Sequence, residues 1–488
     1  MPLRNTIIVV ILLLVIGGYA LYQRYQPPPE KNPKVYQLDA KEIQKLELRS
    51  PDRDLVLERG GPDQWKILKP VRADADHFTV DAIANQIADL EITDTANAAP
   101  SDLAPFGLKV PAVTLTVTTK AGKTLPAILV GEKAPVGNAG FIKVADKPAV
   151  LMVSSAFAAM VNKHLDDVRS RSFFTFKPED AHKIVIAKGA ETLELKRSAG
   201  DQWTIVKPRD YAADNDAVAA FLRALGAAQV TRFVDDNPSD PARYGLANPS
   251  LAVTLANVAN GPAETMRFGF NQPEADANAT YARTGDSPDS PVYSVATSVF
   301  NLANKSFDDL RDKTVMHFDP KSVARLHFVG GPVDETLERA ADKKWTISSQ
   351  DKTAPAELPV AESFLDQLHS LKATKIPEDP MSDPRHFGMV TPTLTITLAG
   401  KDGKELGVLR ASMLEITQKP KDSDQKPVTT TIGYVTSSLD PAVFEVNAQA
   451  VRDLEQTANR LRSDVLPTPT PSPTATAATS SLASPGAH

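Results

Sequence analysis

The sequence predicts an α+β fold with three tandem homologous domains of about 140 residues each, after one N-terminal transmembrane helix. Three observations predict this arrangement. A tryptophan-containing segment recurs at a nearly constant step. The stretches around it alternate between apolar and polar residues, as half-buried strands do. Helical apolar spacing then returns at the same place in each copy. Each domain is therefore expected to hold a mainly antiparallel sheet and two main helices.

Length and composition limit the number of domains and the classes of partner and site that the chain can have. A chain of 488 residues suits about three domains of ~100–200 residues each. The formal net charge of −6, from 54 basic and 60 acidic residues, argues against nucleic acid as a partner, because nucleic-acid binding needs a basic face. The chain contains no cysteine, which excludes disulfides, thiolate-bound zinc, iron–sulfur clusters and a cysteine-linked lipid anchor.

The N-terminal stretch Thr6–Tyr22 is apolar and uncharged, and it predicts a membrane anchor over residues 1–24. It is longer than the usual apolar core of a secretory signal, about 7–15 residues, so an uncleaved anchor is favoured over a cleaved signal. Basic residues flank both sides and do not decide the orientation. The short N-terminal side and the composition of the C-terminal tail favour an inner-membrane protein with its bulk in the periplasm. Residues 25–34 form a stiff proline-rich linker.

The repeated segment reads QWKILKP at Gln64–Pro70, QWTIVKP at Gln202–Pro208 and, in weaker form, KWTISSQ at Lys344–Gln350. Its tryptophans are the only ones in the chain, and they lie 138 and 142 residues apart. Each indole is interpreted as a core anchor on the buried face of a strand. These anchors are Trp65, Trp203 and Trp345.

Each repeat opens with one helical turn and three strands, and the tryptophan strand completes this antiparallel meander. Asp39 and Asp319 suit the N-cap of the opening turn. Proline ends the tryptophan strand in the first two repeats, because it removes a hydrogen-bond donor from the ladder. Asp76 and Asp214 then suit the N-cap of a longer helix with one apolar face.

An aromatic-Gly-apolar-x-x-Pro box follows this helix in every repeat. Its glycine is expected to supply a positive φ, and its proline is expected at the start of the next alternating strand. Further strands and a closing helix complete the repeat. The box positions are Gly107, Gly245, Gly388, Pro111, Pro249 and Pro392.

These landmarks set the predicted domain boundaries. The repeat domains are expected over 35–172, 173–314 and 315–458. Residues 459–488 are rich in proline, threonine and serine and lack any apolar period, so they are expected to form a disordered tail.

No arrangement typical of catalysis is present, and the chain is expected to be non-enzymatic and to need no cofactor. Its eight histidines form no His-x-His or His-x-x-x-His pair, so no metal site is predicted. Two Asp-Asp pairs, 166–167 and 308–309, recur one repeat apart, but adjacent helical residues do not face each other. The first aspartate of each pair lies three residues before Arg169 or Arg311, which predicts surface ion pairs.

The tryptophan strand, the Ala-Asp before the helix, the aromatic-glycine box and the junction Leu310–Pro320 together resemble an uncharacterised bacterial domain family. The resemblance covers about Val35–Thr457. Members of that family are typically anchored by one N-terminal helix and carry the domain in several copies. Many are encoded beside ABC transporters of the gliding type. The resemblance therefore implies transporter subunits as partners, and it transfers no catalytic or binding residue.

The function expected from these features is a non-enzymatic, membrane-anchored extracytoplasmic accessory or scaffold protein of an ABC-type transporter complex. The alternative is a cell-envelope polysaccharide-binding protein that uses the repeated aromatic residues. The ligand, the exact partner, the interdomain geometry and the oligomeric state do not follow from the sequence.

Overall fold

The structure is a computed structural model that describes the following residues: 16–18, 32–198, 200–257, 263–272, 276–285, 290–330, 333–340, 344–349, 352–356, 358–418 and 428–463. The predicted anchor apart from residues 16–18, most of the predicted linker and the predicted tail beyond Ser463 lie outside them. None of the helices in this described part of the chain combines the length and the hydropathy that crossing a bilayer requires.

The described strands form three sheets of nine strands each. All the strand pairs described are antiparallel, which confirms the predicted repetition and strand direction. Each sheet falls within one predicted repeat domain, and the domain boundaries themselves stay predictions. The fold is richer in β-structure than the α+β prediction, mainly because the closing helix is short in the first two repeats.

The first sheet consists of β1 (Ile43–Ser50), β2 (Arg53–Gly61), β3 (Gln64–Lys69), β4 (Ala73–Asp74), β5 (Asp94–Asn97), β6 (Val113–Thr119), β7 (Ile128–Lys133), β8 (Ala139–Val144) and β9 (Val150–Ser154). Its strand order is β4-β3-β2-β1-β6-β7-β8-β9-β5, so two meanders meet where β1 pairs with β6. Leu46 lies opposite Leu57 on one side and Val117 on the other. This register places alternate apolar residues on one buried face.

The second sheet consists of β10 (Lys183–Lys188), β11 (Glu191–Arg197), β12 (Trp203–Lys207), β13 (Tyr211–Ala212), β14 (Arg232–Asp235), β15 (Leu251–Ala256), β16 (Ala263–Gln272), β17 (Asp276–Thr284) and β18 (Val292–Ala296). Its order, β13-β12-β11-β10-β15-β16-β17-β18-β14, repeats that of the first sheet. Ile184 lies opposite Leu195 and Leu255, which is the same pairing one repeat later.

The third sheet consists of β19 (Val323–Gly330), β20 (Val333–Arg339), β21 (Trp345–Ser349), β22 (Lys352–Ala356), β23 (Lys375–Glu378), β24 (Leu394–Gly400), β25 (Glu405–Gln418), β26 (Val428–Ser437) and β27 (Asp440–Val446). The order β22-β21-β20-β19-β24-β25-β26-β27-β23 is again the same. Leu326 lies opposite Leu337 and Leu398.

The described α-helices are α1 (His77–Ala88), α2 (Ala156–Val161), α3 (Leu165–Val168), α4 (Asn215–Ala227), α5 (Thr297–Ala303), α6 (Phe307–Leu310), α7 (Leu358–Ser370) and α8 (Ala448–Ser463). Helices α1, α4 and α7 are the predicted long helices. Asp76 caps α1 by accepting a hydrogen bond from Thr79 N, and Asp214 accepts one from Ala217 N before α4. Each cap satisfies a backbone donor that has no partner within the helix.

The closing segment differs between the repeats. In the first two it is broken into two short helices, because His164 and Ser306 begin new helical turns. Their backbone N–H groups donate to Asp167 and Asp309, at 2.8 and 2.7 Å. The second aspartate of each Asp-Asp pair therefore completes a capping box with the N-cap residue. In the third repeat, α8 runs unbroken to Ser463, into the region predicted as tail.

The chain divides into two compact units, one made of Met1–Thr175, Gly226–Pro249 and Met266–Val299, the other of Phe176–Leu225, Ser250–Thr265 and Phe300–His488. The first unit contains the first sheet, and the second contains the third sheet. In the first unit, α1 buries Val80, Ile83 and Ile87 in the same cluster as Leu46 and Trp65. Burying each such large apolar side chain contributes about 1.5–3 kcal/mol.

Candidate functional site

The three tryptophans lie in the cores of their repeats, with exposed fractions of 1% for Trp65, 6% for Trp203 and 1% for Trp345. Each ring has an arginine of the preceding strand beside it. The distances from guanidinium to ring centroid are 4.3 Å for Arg59 and Trp65, 6.0 Å for Arg197 and Trp203, and 4.7 Å for Arg339 and Trp345. Sequence reasoning missed these arginines, although each precedes its tryptophan by six residues.

The indole Nε1 of the tryptophan has different hydrogen bonding in the first and third repeats. Asp81 on α1 accepts hydrogen bonds from Trp65 Nε1 and Arg59 Nη2, both at 2.9 Å. In the third repeat the equivalent residue is the exposed Glu362, and Trp345 Nε1 is buried without a hydrogen-bond partner among the described residues. The first tryptophan therefore carries a buried polar network that the third lacks.

The box glycines occupy left-handed backbone conformations at the ends of short 3-10 helices. Their φ angles are 67° for Gly107, 73° for Gly245 and 70° for Gly388. A side chain at such a φ is strained, which is the reason for glycine here. In each copy a strand begins two residues after the box proline, with Val113, Leu251 and Leu394 following Pro111, Pro249 and Pro392.

A second glycine supports the box, and sequence reasoning missed it. A Cβ at Gly131 would collide with the carbonyl oxygen of Phe106, and one at Gly269 with that of Tyr244. The third repeat has Ser412 here, whose hydroxyl donates a hydrogen bond to the carbonyl oxygen of Phe387. The available signal was the repeat step of 138 residues between the two glycines.

Two arginines expected on the surface are instead buried. Arg169 directly follows α3 and is 4% exposed, and Arg311 directly follows α6 and is 0% exposed. The predicted location at the surface is therefore wrong for these arginines, although the predicted pairing of Asp308 with Arg311 is present. Arg311 Nε does lie 2.9 Å from Asp308, but its Nη1 reaches Asp379 in the following repeat. A local spacing gave the expectation, and a long-range partner overrides it.

At the first junction, Arg169 crosses from the first repeat into the second. Its Nη1 donates to the carboxylate of Asp236, immediately after β14. Its guanidinium carbon lies 4.1 Å from the ring centroid of Phe233 and 6.0 Å from that of Tyr293. A carboxylate satisfies part of the buried charge, and the aromatic faces cover the rest.

At the second junction, Arg311 crosses from the second repeat into the third. Its Nη1 donates to the carboxylate of Asp379, which also accepts a hydrogen bond from Arg209. The nearest rings are more distant than at the first junction, with centroids at 5.0 Å for Phe307 and 5.5 Å for Tyr211. Two cations therefore share one carboxylate.

Backbone pairing fixes where each arginine enters. Arg169 forms an isolated antiparallel bridge with Ala75, and Arg311 forms the same bridge with Ala213. Each bridge lies directly before the long helix of the arginine's own repeat. The side chain is thus held by its own repeat and binds the next one.

Other ionisable groups at the second junction are shifted. The pKa of the Tyr211 phenol is raised by burial and by its hydrogen bond to Asp440. Burial raises the pKa of Asp312, but hydrogen bonds from Thr314 and from His317 Nε2, at 2.8 Å, outweigh burial and hold it below its usual value. The first junction has Ser170 in place of Asp312.

The terminal repeats differ from the junctions. In the first repeat the position of Asp236 and Asp379 is held by Ala98. In the third repeat α8 runs unbroken through the region where Arg169 and Arg311 follow short helices, and the described residues there form no bridge like theirs. The aspartate is therefore present only where another repeat precedes. We call each arginine–aspartate pair a junction latch, since its chemistry is that of a connector.

The described residues contain no group of three or more His, Cys, Asp and Glu side chains placed to hold a metal ion. A comparison with curated proteins found no match. A comparison with known families matches two adjacent segments, 65–202 and 203–392, which begin at Trp65 and Trp203. The match covers more than half of the chain; its first segment runs from one tryptophan strand to the next, and its second continues past Trp345 to the third box proline, Pro392. The chain therefore belongs to the family described as a domain of unknown function, DUF4340.

Proposed function

We propose that this chain is a non-enzymatic, membrane-anchored extracytoplasmic scaffold or accessory protein, associated with an ABC-type transporter complex. The observation that carries the scaffold proposal is where the recurrent residues lie. The tryptophans are buried in cores, the box glycines shape turns, and the arginines form junction latches.

The latches support a role in holding modules in order. Breaking a buried ion pair by removing one partner costs about 3–5 kcal/mol, because the remaining charge is left uncompensated. Each latch joins parts of neighbouring repeats within one compact unit. Such connections suit a scaffold or accessory protein, whose modules have to stay linked in order.

The membrane and transporter parts of the proposal have a different basis. The apolar stretch Thr6–Tyr22 supports the anchor. The resemblance to domains encoded beside gliding-type ABC transporters supports the partner. The family description names no partner and no reaction.

The polysaccharide-binding alternative needs accessible aromatic faces. The indoles of Trp65, Trp203 and Trp345 are buried, so sugar stacking on them would require the cores to open. A glycan-binding role would therefore have to use another surface.

Site-directed photo-crosslinking in native membranes tests the proposal. A benzophenone amino acid at the exposed positions Val110, Val136 or Val390 samples three surfaces, and the same group at the buried Val117 is the control. We expect mass spectrometry to recover a transporter permease or ATPase subunit from at least one exposed position and not from Val117. Recovery of no transporter subunit from any exposed position would refute the partnership.

A further inference from the structure

The first repeat carries a surface groove of about 600 Å³. The groove lies where the start of β1, the turn between β2 and β3, and the end of β6 come together. Its lining residues are Lys41, Gln44, Arg59, Gly60, Gly61, Pro62, Asp63 and Lys120.

Two of the cations in this groove are uncommitted. Lys41 and Lys120 are exposed, and neither forms an ion pair with any described residue. Arg59, in contrast, is held by Asp81 at 2.9 Å and stacks on the tryptophan of β3. The acidic residue in the lining is Asp63, which is also exposed. Two free ammonium groups in a concave surface attract an anion.

Backbone conformation and close packing do not require glycine at the adjacent positions Gly60 and Gly61. Neither Gly60 nor Gly61 has a left-handed φ, and a Cβ would lie no closer than 3.7 and 3.6 Å to its neighbours, which is ordinary contact. The equivalent residues are Ser and Ala at 198–199 and two alanines at 340–341. Side chains are thus accepted at this position of the repeat. The glycine pair keeps the groove of the first repeat open.

We propose that this groove binds the phosphate group of a phosphate ester that carries free hydroxyls. Lys41 and Lys120 pair with the phosphate oxygens as mobile point charges. Asp63 accepts hydrogen bonds from the hydroxyls, and this favours a polyol ester over inorganic phosphate. The ester is either the headgroup of an anionic phospholipid or a soluble phosphorylated polyol. The lipid source rests on the proposed membrane anchor, and the phosphate chemistry does not.

The repeats provide their own controls. The second repeat has Glu179 and Val258 at the positions of the two lysines. The third retains both lysines, as Lys321 and Lys401, but has alanines in place of the glycine pair. Neutralising the third-repeat lysines removes the same charge from the chain without touching the groove.

Isothermal titration of the full-length chain in nonionic detergent tests the site with three probes: glycerol 1-phosphate, inorganic phosphate and short-chain phosphatidylglycerol. We expect one site per chain, with glycerol 1-phosphate bound more tightly than inorganic phosphate. Lys41→Gln with Lys120→Gln should weaken binding at least about tenfold, and Lys321→Gln with Lys401→Gln less than about twofold. Gly61→Leu fills the groove without changing charge and should also weaken binding.

The three probes also distinguish a lipid headgroup from a soluble phosphate ester as the ligand. Tighter binding of short-chain phosphatidylglycerol than of glycerol 1-phosphate supports a lipid headgroup, and the reverse order supports a soluble ester. No heat with any probe, or equal losses in the two double-lysine variants, would overturn the proposal. Absence of crosslinks to a transporter would leave this titration unaffected, so the two proposals fail separately.

Discussion

The two junctions place the same buried arginine in different surroundings. Arg169 lies 4.1 Å from the ring of Phe233, whereas Arg311 shares the carboxylate of Asp379 with a second arginine, Arg209. The arginine–aspartate pair is the same at both junctions, and the side chains packed around it differ. This indicates that the arginine–aspartate pair makes the connection at both junctions.

The aspartate that would be left without its arginine also differs in exposure between the two junctions. The side chain of Asp236 is 33% exposed and that of Asp379 is 13% exposed. Water therefore compensates a lone charge better at the first junction than at the second. Asp379 keeps Arg209 as a partner when Arg311 is removed, but that arginine is itself 42% exposed. We expect the deeper burial of Asp379 to decide, so that the second latch is the more costly one to break.

The largest expected effect is that of Arg311→Leu, which leaves Asp379 buried with only the half-exposed Arg209 nearby. We expect a loss of about 3–5 kcal/mol in the free energy of unfolding, and a smaller loss for Arg169→Leu. Urea denaturation followed by circular dichroism measures both. Asp308→Asn removes the exposed partner and should change stability by less than about 0.5 kcal/mol. Equal losses at the two junctions would contradict the difference in burial.

A second comparison separates the first and third tryptophans. Trp65→Phe removes the hydrogen bond to Asp81, whereas Trp345→Phe removes a ring whose Nε1 has no described partner. We expect Trp65→Phe to cost about 1 kcal/mol more. Urea midpoints of the two variants measure this difference. If Trp345→Phe is the costlier change, Asp81 does not stabilise the first repeat.

Acid should weaken the second junction specifically. Because the folded-state pKa of Asp312 is lowered, its contribution is complete above the ordinary aspartate pKa of about 3.9 and is lost as the pH falls through the folded value. Asp312→Asn should therefore lower stability at pH 7 and reduce the drop between pH 7 and acid. Thermal unfolding as a function of pH checks this. Ser170→Ala at the first junction is the matched control and should not change the acid response.

The smallest expected effect concerns the aromatic cover of the first junction. Phe233→Leu keeps an apolar side chain of similar size but removes the π face next to Arg169. We expect a loss of about 0.5–1 kcal/mol, read from urea denaturation. The equivalent residue of the third repeat is Ile376, so Ile376→Leu is the control and should cost less.

Much of the fold could be predicted from local patterns. Alternation around Leu46 and Leu326 identified strands, because one buried face imposes a period of two residues. The recurrence of tryptophan gave the number of copies. The broken closing helix was missed, since the caps at His164 and Ser306 interrupt a pattern whose apolar spacing continues.

The latches could not be predicted in the same way. Arg169 lies 67 residues from Asp236, and Arg311 lies 68 residues from Asp379. The nearby aspartates offered a simpler, local partner. The signal that was available is the exchange of aspartate for Ala98 in the first repeat, which has meaning only once the strand order brings the aspartate and arginine positions together.

A double-mutant cycle on Arg311 and Asp379 tests the connector role most directly. Arg311→Leu, Asp379→Leu and the double variant are compared by urea denaturation of the full-length chain. If the pair joins the second and third repeats, the coupling energy will be about 2 kcal/mol or more, and the double variant will be more stable than Arg311→Leu alone. A coupling energy below about 0.5 kcal/mol would show that the two residues act independently and that no latch exists.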